Sequence, residues 1–406
     1  MINIAVMGYG TVGSGVVEVI NTNGARIAQR IGDALNVKYV LDIRDFPGDP
    51  IQEKVIHDFE TIVSDSDIQI VVEVMGGIEP AYTFVKRSLL AGKCVVTSNK
   101  ALVAKHGAEL LSIAKEKNIN FLFEASVGGG IPIIRPLNSS LTADEIEEIT
   151  GILNGTTNYM LTKMFYEGAD YDSVLKEAQE KGYAEFNPEA DVEGYDACRK
   201  IAILSSLISG QQVDFEDIYC EGITKITVED MKYAKTMGAT IKLLASSKRH
   251  GERLGAIVAP CMLYPEHPLY NVNGVFNAIF VHGNVLGDAM FYGSGAGKLP
   301  TASAVVSDVV EASKNLNRNV MTMWKEEKLC LEDKSSMKRR FFIRMRGNVE
   351  EKIEDMRYSF GEVEIVKVDG LEEEFGFVTP VMMEGDYDTR AKSYGDQILH
   401  MIRIED

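Results

Sequence analysis

The chain has 406 residues, of which 45% are hydrophobic and 25% charged, and its formal net charge is −18. This length predicts two or three domains with buried cores. A chain this acidic is poorly suited to bind nucleic acid or an anionic membrane surface. Its apolar runs are too short to span a bilayer, and its N-terminus does not resemble a signal peptide. The five scattered cysteines form no CxxC pair, which favours a reducing cytoplasm over a zinc site or disulfide framework.

The first motif directly follows an apolar run without alternation, Ile2–Met7, which is typical of a strand buried on both faces. The motif is Gly8-Tyr9-Gly10-Thr11-Val12-Gly13, and a predicted helix comes after it. In this strand–turn–helix context, GxGxxG binds the pyrophosphate of a dinucleotide against the helix N-terminus. We therefore predict a Rossmann-type, doubly wound parallel sheet within residues 1–132.

The end of the second predicted strand, Val37–Leu41, bears on the choice of cofactor. An acid such as Asp42 would bond the ribose hydroxyls of NAD, whereas an arginine such as Arg44 would meet the 2′-phosphate of NADP. The sequence offers both residues and leaves the choice open. We expect both cofactors to be accepted, with NADP preferred.

Further strand ends carry candidate ligand-binding residues. The strand Ile68–Val74 ends in a turn containing Gly76, and Cys94–Thr97 is followed by Ser98-Asn99-Lys100. Ligands bind at the carboxyl edge of such sheets, so Lys100 is a candidate, although a solvated lysine is equally compatible. A helix is predicted only later, from Gly107 to Lys117.

The glycine-rich turn at 125–132 follows Glu124. Its carbonyl oxygens and the Glu124 carboxylate suit a hard monovalent cation. From the residues alone, a tight crossover between two domains is the better explanation.

Residues 133–300 predict a second α/β domain with a mixed sheet, including a strand at Gly222–Ile226. The turn Asn154-Gly155-Thr156-Thr157-Asn158 suits a substrate hydroxyl or carboxylate, or is only a helix N-cap. A second glycine-rich turn, which contains Gly297, precedes a helix at 301–316 that we expect to pack back on the first domain.

The segment 181–200 is the strongest candidate for a reaction centre. Asp196 and Lys200 are four residues apart on a predicted helix and share a face. The helix runs from a wet surface into a core, so its lysine is partly desolvated and suited to proton exchange. An isolated pair would be an ordinary surface ion pair. Because Glu185 and Asp191 precede the helix, we instead predict a pocket for a small cationic substrate.

Residues 317–338 read as a polar linker, and residues 339–406 predict the order βαββαβ, a ferredoxin-like unit. A long polar linker would let this tail move relative to the rest of the chain.

Several motifs resemble homoserine dehydrogenases in order and spacing over about residues 1–316. They are GYGTVGSGV, TSNKALVA, FEASVGGGIPIIRPL, GILNGTTNYMLTKM, KGYAEFNPEADVEGYDACRK and GSGAGKLPTASAVVSD. The resemblance implies reversible, NAD(P)H-dependent reduction of L-aspartate 4-semialdehyde to L-homoserine in threonine, methionine and isoleucine biosynthesis. The tail is similar to an ACT-type regulatory module.

The resemblance also implies residue roles. Lys200 would be the acid/base, with Asp196 as its partner. The substrate-binding candidates are Glu185, Asp191 and Thr156. The cofactor-binding candidates are Gly8, Gly10, Thr11, Val12, Gly13, Arg44, Gly76, Lys100, Gly182 and Gly297. A structural sodium ion would lie at Glu124 with the carbonyls of Val127, Gly129 and Ile131, which overrides the crossover interpretation.

Two alternative functions belong to other classes of protein. A phosphorylating semialdehyde dehydrogenase would need a nucleophilic cysteine, but Cys198 lies off the Asp196–Lys200 face of the helix. An amino-acid or NAD(P)H sensor would have no use for a proton donor. The resemblance further implies a homodimer formed through the second domain and a possible amino-acid effector at the tail. We expect a chain ending near Asn319 to fold, dimerise and remain active.

Overall fold

The computed structural model of the protein describes residues 1–321 and 324–405. The N-terminal part is a parallel six-stranded sheet with the strand order β3-β2-β1-β4-β5-β6, the doubly wound order of dinucleotide-binding domains. Its strands are β1 (Ile2–Met7), β2 (Leu35–Leu41), β3 (Val55–Ile56), β4 (Ile68–Glu73), β5 (Cys94–Thr97) and β6 (Phe121–Leu122). Its helices are α1 (Thr11–Ile31), α2 (Glu60–Ser64), α3 (Ala81–Leu90) and α4 (Lys100–Glu116). The predicted Rossmann-type sheet is confirmed.

Helix α4 begins at Lys100, seven residues earlier than predicted. The Oδ1 atom of Asn99 accepts a hydrogen bond from the backbone N–H of Leu102 at 3.1 Å and caps the helix. Asparagine is a strong N-cap residue, so Asn99 is the start signal that the predicted helix from Gly107 leaves out. The cap places Lys100 in the first turn, at the carboxyl edge of the sheet.

The central part of the chain forms α/β structure around a mixed sheet. Its strands are β7 (Ile146–Ile152), β8 (Gln211–Gln212), β9 (Tyr219–Cys220), β10 (Thr240–His250), β11 (Arg253–Leu263), β12 (Phe276–Gly283) and β13 (Gly287–Ser294). Its helices are α5 (Gly155–Glu167), α6 (Tyr171–Glu180), α7 (Glu189–Val192), α8 (Tyr195–Ser209) and α9 (Val228–Thr236). The predicted strand Gly222–Ile226 is wrong. Its residues form turns, and Gly222 lies so close to the carbonyl of Val192 that a Cβ atom would collide with it.

Helix α10 (Lys298–Lys314) returns to the first domain. A Cβ atom on Gly15 of α1 would lie 2.9 Å from the carbonyl oxygen of Lys298 and 3.0 Å from Cβ of Ala302. The two helices therefore pack with almost no space between their backbones. The segment 317–338 that follows contains β14 (Lys325–Lys328), which pairs with β8.

The C-terminal elements follow the predicted order, with one additional two-residue strand. They are β15 (Lys338–Arg346), α11 (Val349–Phe360), β16 (Glu364–Val366), β17 (Glu374–Val378), β18 (Met382–Met383), α12 (Glu384–Ala391) and β19 (Ile398–Glu405). The main strands lie in the order β19-β15-β17-β16. Short 3₁₀ turns occur at Pro50–Lys54, Glu124–Ser126, Phe215–Asp217, Lys334–Ser336 and Gly395–Gln397, and a π turn occurs at Pro136–Ser140.

The tail is not loosely tethered, and the expectation that it moves independently is wrong. Strand β19 pairs in parallel with β11, so the two units share one continuous eleven-stranded sheet. Two ion pairs cross the junction. Arg344 lies 2.8 Å from Asp230, with both side chains buried, and the buried Arg403 lies 2.7 Å from the partly buried Glu221. Within the described residues, no helix is both long and apolar enough to cross a membrane.

Candidate active site

The glycine-rich turn after β1 has the geometry of a dinucleotide site. Gly8 has a φ of +98°, and a Cβ atom on Gly13 would collide with the carbonyl oxygen of Gly8. Gly10 faces open space, with nothing within 4 Å of the position where its Cβ would be. Thr11 and Val12 open helix α1 directly after it. The turn is thus a cradle at a helix N-terminus, suited to a pyrophosphate.

Asp42 and Arg44 lie together at the end of β2. The Arg44 guanidinium contacts both carboxylate oxygens of Asp42 at 3.0 Å, and the backbone N–H of Tyr9 donates to Oδ2 at 2.8 Å. The hydrogen bonds from Arg44 lower the pKa of Asp42 to about 2 against the opposing effect of burial. Both side chains border a cavity of about 470 Å³ that also includes Gly10 and Gly76. One cavity therefore joins the glycine turn to the two residues that bear on NAD or NADP.

The predicted pair on α8 is present and lies in a second cavity, of about 560 Å³. The Lys200 Nζ atom donates to Asp196 Oδ2 at 2.7 Å and to the carbonyl oxygen of Leu153 at 2.7 Å. Lys200 is 9% exposed and Asp196 4%. Two of the three ammonium hydrogens of Lys200 thus have partners, and one is free for a ligand.

Lys100 completes the cluster from the other domain. Its Nζ lies 2.6 Å from Asp196 Oδ1, so the two lysines contact opposite oxygens of one carboxylate. Burial alone would raise the pKa of Asp196, but Lys200 and Lys100 outweigh burial and hold that pKa well below its usual range. Burial likewise opposes the charge on Lys100, yet Asp196 keeps the pKa of Lys100 above its usual value. The Lys100–Asp196 contact was not predicted, because nothing in the local sequence links the two residues.

The same cavity brings together most of the remaining candidates. Its lining includes Val12, Gly129, Thr156, Gly182, Glu185, Asp191 and Gly297. Glu185 is exposed on the loop before α7, and Asp191 is partly buried. The hydroxyl of Thr156 donates to the carbonyl oxygen of Tyr183 at 2.6 Å, so it can offer a ligand only its acceptor lone pairs. Cys198 is buried and is not part of this lining.

Asn154 caps a helix, as the sequence predicts, and also contacts two acids of the cleft. As the N-cap of α5, its Oδ1 atom accepts a hydrogen bond from the backbone N–H of Thr157 at 2.9 Å. Its Nδ2 group also donates to Asp191 Oδ1 at 2.8 Å and to Asp196 Oδ2 at 3.0 Å. The position of an asparagine before a helix signals the cap, but no sequence signal reveals the two carboxylates.

The turn after β6 corrects one detail of the cation prediction. The Glu124 carboxylate accepts hydrogen bonds from the backbone N–H groups of Ile133, Ile134 and Arg135, at 2.6 to 2.8 Å. It is therefore committed to the backbone. Gly129, with a φ of +58°, packs directly against Gly295. The oxygens that remain for a hard cation in the described turn are backbone carbonyls and the Ser126 hydroxyl, which donates its hydrogen to the carbonyl of Phe123.

A Rossmann cradle that opens into a cleft with a buried lysine–aspartate pair defines an NAD(P)-dependent oxidoreductase acting on a CH–OH group. Comparison with known proteins gives the family. The sequence model for "Homoserine dehydrogenase, NAD binding domain" matches residues 8–124, and that for "Homoserine dehydrogenase" matches residues 132–310. The chain belongs to the homoserine dehydrogenase family.

Individual relatives agree with this assignment. Homoserine dehydrogenase of Bacillus subtilis is 43% identical over 323 residues, which cover 79% of this chain and 74% of that protein. The enzyme of Synechocystis is 48% identical over 318 residues, covering 76% and 72%. The crystal structure of a homoserine dehydrogenase from Thiobacillus denitrificans superposes with a TM-score of 0.92 at 34% identity, covering 100% of this chain and 98% of that one. A hyperthermophilic archaeal homoserine dehydrogenase in complex with NADPH gives a TM-score of 0.66 at 31% identity, covering 77% and 97%.

Proposed function

We propose that this protein interconverts L-aspartate 4-semialdehyde and L-homoserine, with Lys200 exchanging the proton at the substrate oxygen. The observation that carries the proposal is the buried Lys200–Asp196 pair in a cleft that also contains two further acids, Glu185 and Asp191. The substrate is a small amino acid, so its ammonium group matches these acids, and its oxygen needs one proton.

Each group of the chain has a distinct task in this reaction. A nicotinamide cofactor held at the glycine-rich turn would supply or accept the hydride. Lys200 donates a proton to the carbonyl oxygen as the aldehyde is reduced and removes it again in the reverse direction. Asp196 holds the Lys200 ammonium through its 2.7 Å contact. Glu185 and Asp191 bind the substrate ammonium, and Thr156 helps to orient the substrate at the cleft wall.

The cofactor fits the residues around the first cavity. Gly8, Gly10, Thr11, Val12 and Gly13 would hold its pyrophosphate, and Arg44 and Gly76 its adenosine end. Lys100, Gly182 and Gly297 would hold the nicotinamide end. The side chain of Arg44 is 57% exposed and can turn from Asp42 toward a 2′-phosphate, so we propose that NADP is preferred and NAD accepted.

A structural sodium ion is compatible with the turn after β6. Its ligands would be the backbone carbonyls of Glu124, Val127, Gly129 and Ile131, which belong to a rigid turn buried between the two domains. Such an ion would fix the crossover and take no part in proton transfer.

We propose the domain limits 1–132, 133–300 and 339–406, with 317–338 as the connection. The βαββαβ order of the last unit supports an ACT-like module that could bind an amino-acid effector.

Strand β13 forms an edge of the large sheet and exposes Met290 and Tyr292, which supports a homodimer formed through the second domain. The five cysteines are free, in keeping with a cytoplasmic enzyme.

The decisive experiment follows NADPH formation from homoserine at 340 nm in wild type and in Lys200→Ala. Loss of one general acid lowers kcat by about 10²–10⁴, while the affinity for NADPH, measured by fluorescence titration, should remain unchanged. Lys232→Ala, an exposed lysine on α9, is the matched control. Wild-type turnover in Lys200→Ala would overturn the assignment of Lys200.

A further inference from the structure

Asn154 stands between Asp191 and Asp196, and the orientation of its side-chain amide is fixed from both ends. The Oδ1 atom accepts from the backbone N–H of Thr157 at 2.9 Å and from the Thr157 hydroxyl at 3.1 Å. Both partners are donors, so the oxygen must face the helix and the NH₂ group must face the cleft. The side chain is 6% exposed, which leaves it little freedom to rotate.

The NH₂ group uses both of its hydrogens on carboxylates. One goes to Asp191 Oδ1 at 2.8 Å and the other to Asp196 Oδ2 at 3.0 Å. The same Oδ2 atom accepts from Lys200, and Lys200 also donates to the carbonyl oxygen of Leu153, the residue before Asn154. The peptide segment 153–154 therefore contacts the proton-exchanging lysine and both acids at once.

We propose that Asn154 is a positioning residue, whose amide sets the distance between the ammonium-binding acid Asp191 and the proton-exchange pair Asp196–Lys200. The inference rests on the proposed function of those three residues. Without the amide donors, two like-charged carboxylates would face each other across the cleft with no group between them.

Capping and positioning can be separated at this residue, because they use opposite ends of the amide. Serine is as good an N-cap as asparagine but carries no NH₂ group to reach the acids. Aspartate keeps the shape and the capping oxygen, but replaces the two donors with a third carboxylate. Asn154→Ser and Asn154→Asp should therefore keep helix α5 and lose the bridge.

The pKa of Asp191 offers a measurement that distinguishes the two roles, because it would stay unchanged if Asn154 served only the structure of the helix. Burial raises the pKa of Asp191, and the hydrogen bond from Asn154 opposes that rise. The other charged groups facing Asp191 are Asp196 and Lys200 on α8 and Lys100 on α4. Removal of the amide should raise the pKa of Asp191. In the reduction of aspartate 4-semialdehyde Lys200 must be protonated and gives the alkaline limb, so the acidic limb of the kcat/KM profile reports Asp191 and should move to higher pH.

The test compares wild type, Asn154→Ser, Asn154→Asp and Lys200→Ala in the reduction of aspartate 4-semialdehyde across the acidic and neutral pH range, with urea unfolding of each protein. We expect Asn154→Ser to unfold like wild type, to lose about ten- to a hundred-fold in kcat, as misplaced reacting groups do, and to show the shifted acidic limb. Asn154→Asp should lose more. Asn348→Ser, at the N-cap of α11, is the matched control for the cap exchange and should keep wild-type kcat.

Wild-type kcat and pH profile in Asn154→Ser would overturn the inference, as would a lower kcat with an unmoved acidic limb. If Asn154→Ser fails to fold, Asn154→Asp decides by the same two criteria. Failure of the proposed function itself is recognised separately, from inactivity of wild type or full activity of Lys200→Ala.

Discussion

Lys100 and Asp196 join the two catalytic domains through an ion pair with an N–O distance of 2.6 Å. Lys100 lies in the first turn of α4, at the edge of the cofactor-binding sheet, and Asp196 lies in the first turn of α8. The carboxylate that holds Lys200, the lysine proposed to exchange the proton, is therefore itself held by a residue at the edge of the cofactor-binding sheet.

Replacement of Lys100 should test this connection. In Lys100→Met, Asp196 keeps its contacts to Lys200 and Asn154 but loses the one to the cofactor-binding sheet. We expect a loss of about ten- to a hundred-fold in kcat from misaligned groups. Steady-state kinetics with homoserine checks the expectation. Lys105→Met, an exposed lysine on the same helix, serves as the control. An unchanged kcat in Lys100→Met would mean that the ion pair has no catalytic role.

Arg44 should determine how strongly the enzyme prefers NADP. In Arg44→Ala, a 2′-phosphate loses its cationic partner, while Asp42 stays free to accept the ribose hydroxyls of NAD. We expect the NADP/NAD ratio of kcat/KM to fall, mainly through a higher KM for NADP. Arg26→Ala, on helix α1, is a suitable control. An unaltered ratio would show that Arg44 does not contact the 2′-phosphate.

Lys242 should make the stability of the protein depend on pH. It is 1% exposed, and its partners among the described residues are carbonyl-type oxygens of Asn158, Val272 and Asn273. Burial lowers the pKa of Lys242 to about 7 from 10.5, so the folded state binds fewer protons than the unfolded state between these values. The resulting penalty is fully present below pH 7 and vanishes above 10.5.

Urea unfolding between pH 6.5 and 9.5 measures this effect. Relative to Lys242→Met, the free energy of unfolding of wild type should rise by up to about 1.4 kcal/mol per pH unit above pH 7. Parallel curves for the two proteins would contradict the lowered pKa.

Removal of the tail should unfold or precipitate the protein, contrary to the expectation from the sequence. A chain ending at Asn319 lacks β19, so the end of β11 at Cys261–Leu263 loses its neighbouring strand and becomes an open edge. It also leaves Asp230 and Glu221 without Arg344 and Arg403, and breaking a buried ion pair costs about 3–5 kcal/mol. Solubility, urea unfolding and homoserine oxidation by the truncated chain check this. A soluble, fully active product would restore the view of the tail as an independent regulatory unit.

The sequence by itself determined the features that depend on neighbouring residues. The GxGxxG turn, the Asp196–Lys200 pair and the cap at Asn154 follow from backbone conformation and helical spacing over three to six residues. The βαββαβ order of the tail follows from alternating and helical periodicity in the same way.

Tertiary structure alone decided the contacts between distant segments. Lys100 meets Asp196, Asn154 bridges Asp191 and Asp196, and β19 extends β11, because separate elements pack into fixed relative positions. The Glu124 carboxylate accepts hydrogen bonds from the amides of residues 133–135 for the same reason, and no local pattern predicts that use of its oxygens. Such contacts depend on the summed packing of both domains, and no local pattern in the chain encodes which side chains that packing brings within hydrogen-bonding distance.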